Sequence, residues 1–148
     1  MNVTLDAAQR AFARTVASRR FSQGGQQQYG AKAGFFLDLG AAEAELVVSI
    51  ATGLPWTAAF VRGGADVGSD LEVRWTSHSS GRLIVHPNDP DGWCGVLVTG
   101  LHGSYRIAGW LEVGLAKRPR WLDVPRQGGR AYFVPQDWLR RDLEALGA

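Results

Sequence analysis

A chain of 148 residues, with 45% hydrophobic and 20% charged side chains, has the size and balance of one globular domain around one core. Its single cysteine, Cys94, excludes an internal disulfide framework and a cysteine-based zinc site. No stretch approaches the roughly 20 apolar residues that cross a bilayer and the N-terminus lacks the apolar run of a signal peptide, so the expectation is a soluble, cytoplasmic protein.

A net charge of +2 and a pI near 9.0 permit a polyanionic partner without requiring one. The distribution is more informative than the total. Arg10, Arg14, Arg19 and Arg20 load the first segment, and Lys117, Arg118, Arg120, Arg126 and Arg130 cluster late, near Trp110 and Trp121. Basic residues mixed with aromatics suit phosphate contact and base stacking, and equally describe a solvated rim over two core tryptophans.

In chain order, Thr4 to Arg20 reads as a helix, with Asp6 as a possible cap and Ala7, Ala11, Phe12 and Val16 at helical spacing. The polar run Ser22 to Gln28 then breaks the pattern, so residues 1–28 are expected as a helical arm and a Gln/Gly-rich loop ahead of a core at 36–148. From Asp38 to Thr52, an apolar stripe of Leu39, Ala42, Leu46, Val47 and Ile50 predicts a second helix, stopped by Gly53 and Pro55. Short β-type runs follow at Thr57–Arg62, Leu71–Thr76, Arg82–His86, Gly95–Thr99, Tyr105–Leu111 and Ala131–Val134. The turn chemistry between them favours antiparallel hairpins, and Gln136–Leu146 reads as a closing helix.

The segment Asp66 to Thr76 carries the chemistry. A turn at Gly68-Ser69 leads into a strand whose alternation puts Glu72, Arg74 and Thr76 on one face and Leu71, Val73 and Trp75 on the other. Closing the turn brings Asp66 beside the start of that strand, where Asp66 and Glu72 can direct oxygens at a common site. Converging carboxylates suit a hard cation such as Mg2+ or Mn2+. The bland alternative is an exposed hairpin with Glu72 paired across strands to Arg62 or Arg82.

An aspartate ending one strand and a Glu-x-Lys on the next, preceded by a helix bearing a glutamate, is the pattern of PD-(D/E)XK nucleases. This chain resembles it through Asp66, Glu72-Val73-Arg74 and Glu45. Gly40 to Val48 followed by Gly53-Leu54-Pro55-Trp56 is similar to the first helix of small phage and prophage members, and the resemblance covers about Phe36 to Trp110. It implies an α+β, restriction-endonuclease-like core: a helix, a mainly antiparallel mixed sheet, and flanking N- and C-terminal helices. It further implies Mg2+- or Mn2+-dependent hydrolysis of DNA, with Asp66 and Glu72 on the metal and Glu45 completing its surroundings. Lys117, Arg118, Arg120 and Arg82 would contact the nucleic acid, and homodimers are common where both strands are cut. Arginine at position 74 departs from the pattern; it cannot readily lose a proton, so its role would be on the phosphate rather than as a base. Asp70 competes with Asp66 for the metal: Asp70 shares the alternation face of Glu72, and Asp66 matches the family order. The alternative is a catalytically weak module of the same fold that binds nucleic acid or a protein.

Other signals are weaker. His78, His86 and His102 lack zinc spacing; His86 closes the strand after the hairpin and is the one that could approach the same site, as a phosphate or water ligand. Asn88 to Gly92 has calcium-loop composition without EF-hand length. No serine, cysteine or glycine pattern matches a hydrolase triad or a phosphate-binding loop.

Overall fold

The computed structural model describes residues 1–59, 63–124 and 129–147. Strand β1 (Asn2–Thr4) precedes helix α1 (Ala7–Ser22), whose N-terminus is closed by a capping box. The Gln9 amide donates to Asp6 Oδ1 and the Asp6 amide to Gln9 Oε1, both at 2.8 Å, satisfying donors that the first helical turn leaves free. α1 is not an arm. Ala13, Val16 and Ala17 are fully buried against helix α2 (Ala31–Thr52), because small residues at this spacing let the two backbones approach closely. The polar loop between the helices is also tied down, by a bond from the Gln26 amide to buried Asp38. α2 begins seven residues before Asp38, the expected start, and ends as expected at Gly53, whose left-handed φ of 74° suits glycine.

β2 (Leu71–Thr76), β4 (Cys94–Leu101), β5 (Ser104–Glu112) and β1 form a mixed sheet in the order β1-β5-β4-β2. β3 (Leu83–Val85), β7 (Ala131–Val134) and β6 (Leu122–Asp123) form a second, antiparallel sheet in the order β3-β7-β6. The protein is therefore α+β. β4 and β5 make the expected hairpin through His102 and Gly103, both at positive φ, as a tight two-residue turn requires. β2 and β4, by contrast, run parallel. The intervening chain leaves the sheet to pair β3 with β7, so the antiparallel expectation fails here because the crossover is supplied by a strand of another sheet.

The mixed sheet has helices on one face and the small sheet on the other. Val96 and Val98 join the core under α1 and α2, whereas Leu97 joins the core shared with Leu83, Val85 and Val134. On β5 a bulge opposite Leu97/Val98 shifts this alternation, so that Ile107 and Trp110 both face the helices.

Two further expectations are corrected. Thr57–Ala59 is a 3-10 turn rather than a strand, because its hydrogen bonds go to Asp66 and Gly68; the rest of that expected run lies outside the described residues. The closing helix is replaced by 3-10 turns at Gln136–Trp138 and Leu143–Gly147. Between them Arg140 exchanges backbone hydrogen bonds with Trp110 at 2.8 and 2.9 Å, an extended pairing incompatible with a helix. Val113–Ala116 forms a single helical turn, α3. Among the described residues no helix is long and apolar enough to cross a membrane.

Candidate active site

β2 is an edge strand, so one side of its backbone is open to a side chain. The preceding turn supplies that side chain. Val67 and Leu71 bridge each other, Gly68 takes a φ of 61°, and the Gly68 amide donates to Pro55 just beyond α2. So held, Asp66 accepts a hydrogen bond from the Val73 amide at 2.8 Å. The sequence expectation that Asp66 sits beside the start of this strand describes the observed geometry. Asp70 lies beside Cys94, whose amide donates to the Asp70 carbonyl at 2.9 Å and whose thiol pKa is raised by burial and then by Asp70 and Glu112.

Glu72 and Arg74 share a face of β2, with Arg74 Nη1 at 2.9 Å from Glu72 Oε1. Arg74 also donates from Nη2 to Asp89 Oδ2 at 3.0 Å and from Nε to the Ile84 carbonyl at 3.1 Å. Asp89 is itself oriented by the His86 amide at 2.8 Å. His86 thus contributes to this site through its backbone, and its side chain is exposed. Glu72 pairs within its own strand rather than with Arg82, and Arg62 lies outside the described residues.

Glu45 reaches the same region from α2. Arg20 of α1 grips it with two hydrogen bonds, at 2.7 and 3.1 Å, and the Trp56 indole donates to Oε2 at 2.7 Å. Glu45 is 6% exposed, so these partners are what make its burial tolerable.

The three carboxylates act on one another. Burial first, then Glu45 and Glu72, push Asp66 up to about 7, against the Val73 amide and Arg74, which favour the ionised form. Burial also raises Glu72; Arg74 opposes the rise, while Asp89 and Glu45 add to it. Half-buried negative charges that destabilise one another form an environment suited to a cation.

The residues fit a hard divalent ion in part. Asp66 and Glu72 offer carboxylate oxygens of the right chemistry, whereas both oxygens of Glu45 are occupied by Arg20 and Trp56. Among the described residues, no three His, Cys, Asp or Glu side chains stand close enough to form a ready-made metal cage. Glu45 therefore contributes field rather than a free ligand oxygen.

The expected phosphate contacts divide. Lys117 is drawn inward: its ammonium donates to the carbonyls of Pro87 and Asp89 at 2.9 and 2.7 Å and to Asp91 at 2.6 Å, occupying its three donors. It clamps the loop that carries Asp89. Arg120 stacks between Trp121 and Trp138, at 4.5 and 4.1 Å from their ring centres. Arg118, Arg82 and Arg130 are exposed, and Arg126 lies outside the described residues. Arg20, Trp56 and Asp89 were not singled out for the site in the sequence. Their partners lie 25, 11 and 15 positions away, beyond any local pattern.

Comparison with models of known families, with curated proteins and with solved structures found no match to this chain.

Proposed function

We propose that this protein hydrolyses DNA phosphodiester bonds with a divalent metal ion, on a core of the restriction-endonuclease-like kind. The observation that carries the reading is the convergence on one strand edge of Asp66, anchored on the Val73 amide, with Glu72 and Arg74, and with Glu45 in their field. The bound ion would supply Lewis-acid charge and a water of lowered pKa. Asp66 and Glu72 would hold the ion, and loss of the Asp66 proton would accompany its arrival. Two of the five N–H donors of Arg74 remain after Ile84, Glu72 and Asp89 are served, enough to orient a phosphate oxygen. Exposed Arg118 and Arg82 would add affinity for the DNA backbone.

The test is cleavage of linear, circular and single-stranded DNA with Mg2+ or Mn2+. Native protein is expected to cut, with Asp66→Ala and Glu72→Ala at least 100-fold slower; cutting untouched by either substitution would sink the proposal. A second reading, a binding module that does not cut, is favoured by the ion pair between Arg74 and Glu72, which neutralises a metal ligand from within. Salt-sensitive DNA binding without cleavage, with cutting gained in Arg74→Lys, would identify that silenced form.

A further inference from the structure

On the other side of α2 lies a cleft of about 280 Å³, bounded by α1, α2 and the β4–β5 turn. Its volume is near the lower end of small-molecule sites, about 300 Å³. A second hollow along α1 shares Arg10, Arg14, Leu39 and Glu43 with it, so the opening continues beyond the main chamber.

One wall of the cleft is aromatic. Phe36 and Trp75 meet edge to face with ring centres 5.6 Å apart, and the Trp75 indole is fixed by a bond to the Gly100 carbonyl at 3.0 Å. Gly40 makes this possible, because a Cβ there would collide with the indole ring. Phe36 remains 42% exposed, a large ring left facing the opening. At the back, Glu43 is 1% exposed and its charge is met by Arg10 at 3.2 Å and by the Tyr105 hydroxyl.

With Glu43 compensated, the cations at the mouth are in surplus. Arg14 and Lys32 are exposed, line the cleft, and form no ion pair with a carboxylate among the described residues. Arg14 is held over the Phe35 ring at 5.5 Å, which keeps its guanidinium at the opening. A ligand that satisfies both features needs a flat ring for the aromatic wall and a compact, multiply charged anion for the two cations.

We infer that this cleft binds a nucleotide, its base against Phe36 and Trp75 and its phosphate on Arg14 and Lys32, either as a free mononucleotide or as the 5′-phosphorylated end of a DNA strand. The site uses none of Asp66, Glu72 or a metal ion, so it stands whether or not the protein cleaves DNA.

Calorimetric titration of the full chain in EDTA, with dAMP, deoxyadenosine and inorganic phosphate, tests this. dAMP is expected to bind at least tenfold more tightly than either part alone. Phe36→Ala and the double substitution Arg14→Ala/Lys32→Ala should each weaken dAMP at least fivefold with unchanged melting temperature, while Asp66→Ala leaves it unaltered. Displacement of dAMP by a 5′-phosphorylated oligonucleotide, but not by its 5′-hydroxyl counterpart, would identify a strand end as the occupant. Displacement by neither would identify the free nucleotide. Absence of dAMP binding at millimolar concentration, phosphate binding as tightly as dAMP, native affinity in Phe36→Ala, or equal displacement by both oligonucleotides would overturn the inference.

Discussion

Asp66 and Val73 are joined by a hydrogen bond in which the strand amide donates to the aspartate Oδ2 at 2.8 Å. That bond sets the carboxylate on the open edge of β2, next to Glu72 and Arg74, and pulls against the burial and like charges that push Asp66 up to about 7.

A pH dependence follows. From the ordinary 3.8 up to about 7 the native protein keeps a proton that the unfolded chain releases. The stability associated with the neutral, buried carboxyl is complete below about pH 4 and is lost as pH rises through about 7. Asp66→Asn, neutral at all pH, is expected to be more stable than native by about 1–3 kcal/mol at pH 8, with the difference shrinking toward zero near pH 4.5. Urea unfolding at the two pH values measures this, and an equal difference at both would contradict it.

Divalent metal should reverse the same penalty. At Mn2+ concentrations a hundredfold above Kd, stability at pH 8 is expected to rise by about 2.7 kcal/mol, and by much less at pH 5.5, where Asp66 is protonated. Thermal melts of native protein, Asp66→Asn and Glu72→Gln read this out. A metal-induced rise that survives Glu72→Gln would remove Glu72 from the site.

Glu45→Ala leaves the half-buried Arg20 guanidinium and the Trp56 indole without their acceptor. The expected loss is about 3–5 kcal/mol, because an uncompensated buried charge costs more than the pair contributes. Arg20→Ala/Glu45→Ala should lose less than the two single substitutions added together, and strict additivity in denaturant unfolding would argue against the coupling.

Lys117 and Arg118, adjacent in sequence, should behave differently. Lys117→Ala removes the clamp on the 87–91 loop, at a cost of about 1–2 kcal/mol, and leaves the salt dependence of DNA affinity unchanged. Arg118→Ala is expected to stay within about 0.5 kcal/mol of native stability while lowering the slope of log affinity against log salt by about 1. Filter binding across a salt series separates the two, and a reduced slope in Lys117→Ala would return it to the phosphate contacts.

Local features were legible in the sequence because a few neighbouring residues create them. The Asp6 cap, the Gly53 stop, the alternation of β2 and the β4–β5 turn each depend on contacts spanning only a few positions. The 66–71 turn belongs with them, which is why Asp66 could be placed beside β2 from spacing alone.

The tertiary structure decided the rest. α1 became part of the core through its contact with α2, although its own apolar pattern is weak, and the last segment became extended because Trp110 offered it backbone partners. Lys117 and Arg118 are alike in the sequence as members of one basic cluster, yet only Lys117 meets carbonyls of a loop folded beneath it. By itself the sequence determined which residues carry charge and which short segments turn, cap or extend, since those properties reside in side chains and their near neighbours. Which charges are answered, as Glu45 is by Arg20 and Arg74 is by Glu72 and Asp89, and which still act on a buried neighbour, as Glu45 and Glu72 do on Asp66, was settled only when distant segments met, because burial and Coulomb interaction depend on distance in space.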